Sequence, residues 1–188
     1  MSNLMSPAVL MMGCTLLIGA ASTPVRADDN ACMGTVQAPP PGLVEAQDPA
    51  LLAKALGAPQ QGKLCSGKVF VATQPGARVT VYRVWDASKS YTALGSWWSF
   101  DAPQGPRDAY RRANEICPAW SALNKASRCT IKPGTEIVVG PGQSAQCDAS
   151  LSYPPSAVNQ VYIANDAQHG QVQVDQCEDL GEWPSAAP

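Results

Sequence analysis

The 188-residue sequence predicts an α+β domain of small antiparallel sheets with one or two central helices, held by three disulfides. Runs rich in Val, Ile, Tyr and Thr, bounded by Gly and Pro, indicate strands on both sides of a helical region. Six cysteines follow an apolar leader, and an even number of cysteines in an exported chain is typical of a disulfide framework. A chain of this length is expected to form one domain.

Residues 1–27 are expected to be a signal peptide. The apolar run "MSPAVLMMGCTLLIGAA" is followed by "PVRA", which places Val25 and Ala27 three and one positions before a cut after Ala27. Because the run continues past Cys14, this cut is favoured over lipidation of that cysteine. No other stretch approaches the ~20 apolar residues that span a bilayer, so no membrane contact is expected after cleavage. The mature chain is expected in the periplasm or outside the cell.

The charge of the chain argues against nucleic acid as a partner. The formal net charge is −2, and it becomes −3 when Arg26 is removed with the leader. A surface that tracks phosphates needs a basic excess, which this sequence does not have. The run "RRANE" at 111–115 is expected to form the solvent-exposed face of a helix.

The six remaining cysteines are expected to form disulfides rather than a metal site. No pair has a CxxC spacing, and His169 is the only histidine. Six cysteines allow 15 pairings, and the sequence does not choose among them. The pairing that closes the smallest loops joins Cys32 to Cys65, Cys117 to Cys129, and Cys147 to Cys177.

Residues 28–63 are expected to form an N-terminal arm, either tethered to the domain or acting as a mobile spacer. A short helix is predicted over 48–57, where Asp48 is a good N-cap, Pro49 suits the first helical position, and Gly57 ends the helix.

The disulfide-bonded domain is expected over 64–178 and a flexible tail over 179–188. The predicted strands cover 67–73, 77–86, 94–100, 135–139, 157–165 and 170–177, with the turn "QPG" at 74–76. The region 102–127 has apolar residues at helical spacing, and Pro118 is expected to split or kink it.

Several kinds of catalytic site are disfavoured. The sequence has no GxGxxG, Walker, GxSxG or HExxH motif. A single histidine gives a Ser-His-Asp triad little support, and oxidised cysteines do not supply a thiolate nucleophile. A pair of carboxylates stays open, and the candidates for it are Asp86, Asp101, Glu115 and Glu136.

One charged residue lies on an apolar strand face. In "VTVYRVWD" the alternation of a strand places Arg83 on the same face as Val81 and Trp85. A buried charge needs a partner or a ligand. Arg83 is therefore expected either to pair with Asp101 or Glu136 across the sheet or to bind an anion.

The stretch from 83 to 163 resembles the ADP-ribosyltransferase fold and its NAD-hydrolysing relatives. The resemblance lies in a strand ending "VYR", the segment "GSWWSF", the helices after it, and a later strand containing "NQVYI". It implies that Arg83 grips the NAD phosphates and that Gln160 addresses the nicotinamide ribose, and these two are the implied catalytic residues. It also implies that the nicotinamide pocket is braced by Ser96, Trp97 and Ser99.

The same resemblance implies that NAD is a substrate and not a permanently bound cofactor. No Glu-x-Glu stands near Gln160, which favours hydrolysis of NAD over transfer of ADP-ribose to a protein. This interpretation requires Arg83, Ser99 and Gln160 to converge in one cleft. Because NAD is scarce outside the cytoplasm, an exported protein of this kind is expected to be a toxin or effector.

The alternative is a non-catalytic periplasmic or secreted protein that binds or inhibits a protein partner. Trp97 and Trp98 point to opposite faces of a strand, so one of them is expected to be exposed. The loop "GPGQSAQC" at 140–147 would be a second contact of such a protein.

Overall fold

The computed structural model describes residues 31–73 and 78–184. The predicted signal peptide, the whole of the predicted turn at 74–76 and the last four residues lie outside these ranges. In chain order the strands are β1 (Leu43–Ala46), β2 (Lys68–Ala72), β3 (Thr80–Trp85), β4 (Trp97–Trp98), β5 (Lys125–Ile131), β6 (Glu136–Gly142), β7 (Ala145–Gln146), β8 (Ser152–Tyr153), β9 (Ser156–Ile163) and β10 (Val174–Glu182). The α-helices are α1 (Pro49–Ala55) and α2 (Arg107–Ala113), and short 3-10 helices cover Ser90–Leu94 and Ala167–His169.

Two antiparallel sheets form the framework, so the predicted α+β class is confirmed. The larger sheet has the order β1-β2-β6-β9-β4, the smaller one has the order β10-β5-β3, and β7 pairs with β8. The backbones of Tyr82 in β3 and Ser99 after β4 exchange two hydrogen bonds, of 2.7 and 2.9 Å. This contact joins the edge of the small sheet to the edge of the large one.

The main core lies between the two sheets. It contains apolar side chains of β2, β6 and β9 from one sheet and of β3, β5 and β10 from the other, together with Trp98. Strand β6 is buried on both faces, because Ile137 and Val139 enter this core while Val138 packs under α1. Its continuous apolar run "IVV" is the sequence pattern expected of a strand covered on both sides.

The segment 28–63 contributes to the core of the domain over its described part. The predicted helix is confirmed as α1: the Asp48 side chain accepts hydrogen bonds from the amides of Ala50 and Leu51, both at 2.9 Å. Leu51 and Ala55 are buried, and β1 extends the large sheet by pairing with β2. The described part of the expected arm is therefore packed as part of the domain.

The predicted helical region is mostly not helical. Helix α2 covers only seven residues, and the residues that follow it form an irregular segment before β5 begins at Lys125. The guanidinium of Arg111 accounts for that segment: it donates to the carbonyl oxygens of Ile116, Cys117, Ser121 and Ala122 at 2.8 to 3.3 Å. Arg111, Asn114 and Glu115 are buried, so the expectation that the run 111–115 is solvent-exposed is wrong for these three residues.

Residues 179–184 form part of the fold rather than a loose tail. Strand β10 continues to Glu182, and Trp183 is buried against Tyr110 of α2 with ring centroids 4.9 Å apart. The side chain of Arg107 donates to the carbonyl oxygens of Leu123 and Trp183, at 2.8 and 3.0 Å. The expectation of a flexible tail is wrong as far as residue 184.

The three disulfides are Cys32–Cys65, Cys117–Cys147 and Cys129–Cys177. The first pairing was predicted correctly, whereas the expected Cys117–Cys129 and Cys147–Cys177 are wrong. The smallest-loop argument fails because Cys129 belongs to β5, whose neighbour β10 brings Cys177 to it. Three disulfides place the folded protein in an oxidising compartment outside the cytoplasm. In the described ranges, no helix has both the length and the apolar character of a membrane span.

Candidate functional site

A cavity of about 390 Å³ opens between the irregular segment after α2, the end of β3 and the strand pair β4-β9. This volume lies within the range of small-molecule sites. Three of the five predicted site residues line it: Arg83, Trp97 and Gln160. They come from β3, β4 and β9, which are distant in sequence and belong to two sheets. The other residues used below that line it are Lys63, Trp98, Tyr110, Asn114, Glu115 and Trp120.

The Arg83 side chain bridges two backbone segments at the cavity wall. Its Nε atom donates to the carbonyl oxygen of Thr92 at 2.6 Å, and its Nη1 atom donates to the carbonyl oxygen of Trp97. The guanidinium carbon lies 5.9 Å from the centre of the Trp98 ring system, within cation–π range. No carboxylate of residues 31–73 or 78–184 forms an ion pair with Arg83, so the expected pair with Asp101 or Glu136 is wrong.

Arg83 remains a cation with hydrogen-bonding capacity to spare. A guanidinium has five N–H donors, and the two bonds above use two of them. Desolvation by burial lowers the pKa of Arg83 to about 10, which still leaves it charged at neutral pH. A desolvated cation beside a cavity, with no ion-pair partner in the described chain, favours an anionic ligand group.

Gln160 presents an acceptor to the site. Its amide Nε2 atom donates to Glu115 Oε2 at 2.7 Å and to the carbonyl oxygen of Asn114 at 3.3 Å. These bonds fix the amide with its nitrogen towards the segment after α2. The Gln160 Oε1 atom receives no hydrogen bond from the described residues, so it is available to a hydroxyl donor of a ligand.

Glu115 is the residue that sequence reasoning did not single out for this site. Its side chain is 0% exposed, and its Oε1 atom has no hydrogen-bond partner among the described residues. Burial raises the pKa of Glu115 to about 9, against the opposing effects of the hydrogen bond from Gln160 and of the nearby Ser156 hydroxyl. The carboxyl group is therefore protonated and neutral at pH 7.

The backbone at Glu115 and at Gly142 has features that accommodate this carboxyl. Glu115 has a φ of 49°, in the left-handed region that costs a side chain about 1–2 kcal/mol. A Cβ atom on Gly142 of β6 would lie 1.9 Å from Glu115 Oε2, so only glycine leaves room there. Strain and close packing at one position are features of functional sites.

Aromatic rings form much of the remaining wall. Trp98 is buried and Trp97 is half-buried, with its ring 5.1 Å from that of Tyr162. Burial raises the pKa of Tyr110 to about 12, so its phenol is neutral. Trp120 is 46% exposed and lies at the mouth, where it covers Gly62. Such rings stack on flat heterocycles.

The two predicted serines do not line this cavity. Ser96 Oγ donates to the carbonyl oxygen of Asn165 at 3.0 Å, and Ser99 Oγ accepts from the amide of Asp101 at 3.0 Å. Both side chains hold loops next to β4. The expected convergence therefore holds for Arg83 and Gln160 but not for Ser99.

Among residues 31–73 and 78–184 one carboxyl group lines the cavity, so these residues do not form the possible pair of carboxylates there. Of the four candidates only Glu115 lines it. Asp86 accepts bonds from Ser88 and from the amide of Ala122, which lower its pKa. His169 lies elsewhere, in an exposed contact of 2.7 Å with Asp166. The described residues contain no cluster of His, Cys, Asp or Glu that could hold a metal ion.

Comparison with known proteins adds no family to this description. No protein-family model matches the chain, and no curated protein or solved structure shows significant similarity to it. The functional argument therefore rests on the residues of the cavity.

Proposed function

We propose that the cavity binds NAD and that the protein hydrolyses it. The observation that carries this proposal is that Arg83 and Gln160, from two different sheets, line the same cavity. They were expected to grip the phosphates and to address the nicotinamide ribose, and the two roles need one shared cleft. Ser99, which the same interpretation places in that cleft, lies outside it, so the proposal rests on Arg83 and Gln160 without Ser99.

The charges of the cavity favour a ligand that combines phosphate with a flat ring. At neutral pH Arg83 is positive, while Glu115 and Tyr110 are neutral. The Lys63 side chain adds a second cation at the rim, where its Nζ donates to the carbonyl oxygen of Lys54 at 3.2 Å. A pyrophosphate meets these cations, and a heterocycle meets the tryptophans.

The hydrolysis needs few protein groups. The bond between the ribose C1′ and the pyridinium nitrogen breaks with its electron pair going to nitrogen, so the leaving nicotinamide needs no proton. Positive charge then develops on the ribose, and water adds to C1′ with loss of one proton. The Gln160 Oε1 atom supplies an oriented acceptor for a ribose hydroxyl, which favours this transition state in a desolvated site.

The compartment gives the proposal its biological setting. We infer export to the periplasm or to the outside of the cell, since the disulfides require an oxidising compartment and the N-terminus has the pattern of a signal peptide. An exported enzyme that consumes NAD would act as a toxin or effector in another cell.

The binding-protein alternative has less support. It relied on an exposed tryptophan in the segment 97–98 and on the loop 140–147. Trp98 is buried and Trp97 half-buried, and residues 140–145 are all buried. Each feature therefore offers a partner little surface, since only the half-buried Trp97 and the end of the loop, at Gln146 and Cys147, are accessible.

Release of nicotinamide from NAD tests the proposal. The oxidised chain is compared with Arg83→Ala and Gln160→Ala, and with two controls on exposed residues, Arg128→Ala and Gln171→Ala. We expect release by the unchanged chain and by both controls, and a loss of at least about 100-fold in the two site variants. Thermal unfolding confirms that each variant is folded. The absence of both nicotinamide release and stabilisation by NAD would contradict the proposal.

A further inference from the structure

Glu115 lines the cavity with one of its two carboxyl oxygens unpaired by the described residues. Glu115 Oε2 is occupied by Gln160, but the buried Oε1 atom has no partner in the described chain. The groups packed around this carboxyl from β6 and β9 are Gly142, Ser156 and Gln160, none of which carries a charge. A buried polar atom that stays unpaired costs free energy, so an atom of this kind points to a ligand that compensates for it.

We propose that Glu115 makes the cavity select a positively charged ring, the oxidised nicotinamide of NAD⁺, over the neutral ring of NADH. This inference rests on the function proposed above and adds a specificity-determining residue to it. Glu115 gives up its proton when the charged ring binds and faces that ring as a carboxylate.

The rings around the site support a cationic ligand group. Trp97, Trp98, Trp120 and Tyr110 line the same cavity, and aromatic faces attract cations. Arg83 and Lys63 are the two cations that line it, and they match the pyrophosphate rather than the pyridinium. Glu115 is the one carboxyl that the described part of the chain contributes to the lining, so it is the group that can balance a ring carrying a positive charge.

The desolvation that keeps Glu115 neutral also makes it responsive to such a ring. A charge pair formed away from water is far stronger than one in water, so a nearby cation shifts the equilibrium towards the carboxylate. The other ionisable groups that face the cavity are Arg83, with a pKa of about 10, Tyr110, with a pKa of about 12, and Lys63. Arg83 and Tyr110 therefore keep their charge states below pH 9.

Proton linkage sets the expected behaviour. Free Glu115 holds its proton up to a pH of about 9, and the complex with a charged ring holds it only to a lower pH. Between these two values, binding of the oxidised ring releases up to one proton, and affinity rises by up to about tenfold per pH unit. A neutral ring releases none.

Calorimetry with a matched pair of ligands tests the inference. Carbocyclic NAD⁺, whose bond to nicotinamide resists hydrolysis, and its reduced form differ in the charge of one ring. Binding is measured at pH 6.5, 7.5 and 8.5, in two buffers of different ionisation enthalpy at each pH, so that proton release is counted. The unchanged chain is compared with Glu115→Gln and with Glu136→Gln, which removes a carboxyl outside the cavity.

We expect the unchanged chain and Glu136→Gln to bind the oxidised form at least about tenfold more tightly at pH 7.5 and to release protons. In Glu115→Gln both effects disappear. Proton release by the unchanged chain does not depend on any variant folding. If the unchanged chain binds both forms equally and without proton release, the inference is wrong. In that case, loss of binding of both forms in Arg83→Ala would still support the proposed nucleotide site. If neither form binds, the proposed function fails as well.

Discussion

The neutral carboxyl of Glu115 predicts an effect of pH on stability that does not depend on any ligand. The pKa of this group is raised from 4.5 in the unfolded chain to about 9 in the folded protein. Between these values the folded state holds a proton that the unfolded state has lost. Stability therefore falls as pH rises, by at most ~1.4 kcal/mol per pH unit from this group.

Replacement by glutamine removes that dependence while keeping the size of the side chain. We expect the free energy of unfolding of Glu115→Gln, relative to the unchanged chain, to rise by about 2 kcal/mol between pH 5 and pH 7. Urea denaturation at both pH values measures it, and Glu136→Gln is the control, with a constant difference. A pH-independent difference for Glu115→Gln would show that the carboxyl is ionised in the folded protein.

Two glycines provide a separate test of the site at single residues. Gly142→Ala places a methyl group 1.9 Å from Glu115 Oε2, in a buried position, and should cost about 1–3 kcal/mol of stability. Gly95→Ala places one 2.4 Å from Arg83 Nη2, at the end of a longer side chain. We expect Gly95→Ala to reduce NAD binding with less loss of stability, as measured by denaturation and calorimetry. Unchanged NAD binding in both variants would show that neither contact matters.

At the scale of single residues, the sequence indicates which side chains need a partner but does not show which atoms they contact. The alternation around Arg83 identified it as a charge that needs a partner, and its guanidinium lies 5.9 Å from the centre of the Trp98 ring. Its contacts, the carbonyl oxygens of Thr92 and Trp97, could not be predicted, because they depend on how the chain returns after β3. Glu115 was one of four carboxylates, and its burial follows from the packing of β6 and β9 against the end of α2.

At the scale of elements, the end of the chain supports the site through α2. Trp183 packs edge-on against Tyr110, which also lines the cavity. Trp183→Ala should cost about 3–5 kcal/mol, as for other buried tryptophans, and should weaken NAD binding. Leu180→Ala in β10, the strand just before Trp183, is the control, since Leu180 is 41% exposed and should change stability by less than about 1 kcal/mol. Equal effects of the two substitutions on denaturation and binding would contradict this role of Trp183.

The sequence missed β5, whose own residues carry little strand pattern, and the short strands β1, β7 and β8. Strand β5 reads "KASRCTI", with two polar and two small residues at its start, and its first half was assigned to a helix. It becomes a strand because β3 pairs with it on one side and β10 on the other, and both partners lie far from it in the sequence. Strand β2 and strand β6, which have dense β-branched runs, were predicted from local pattern alone.

At the scale of the whole molecule, the disulfide pairing depends on which strands become neighbours in the fold. Loop length favoured Cys117 with Cys129, but α2 and β5 turn these two cysteines to different parts of the fold. Cys129 lies in the main core and pairs across the small sheet, whereas Cys117 lies in a separate cluster with Tyr153 and Ala145. The pairing follows from sheet topology, which a single sequence does not reveal.

Two of the disulfides differ in whether they are attached to the cavity, which allows effects on NAD binding to be distinguished from effects on stability. Cys117 lies two residues after Glu115 and three before Trp120, both of which line the cavity. Its bond to Cys147 therefore attaches the segment that carries these two residues to the β7-β8 pair. The Cys129–Cys177 bond joins strands that contribute no residue to the cavity wall. The sequence separations, 30 and 48 residues, predict similar losses of stability, about 4 kcal/mol for either bond.

We therefore expect replacement of Cys117 and Cys147 by alanine, and separately of Cys129 and Cys177, to lower the denaturation midpoint by similar amounts. Only the first pair of substitutions should weaken NAD binding by at least about tenfold when measured well below the unfolding temperature, because only that bond fixes Glu115 and Trp120. Equal loss of binding in both variants would mean that the cavity depends on global stability and not on the local tie. Retained binding without Cys117–Cys147 would show that the four carbonyl contacts of Arg111 are enough to hold the segment.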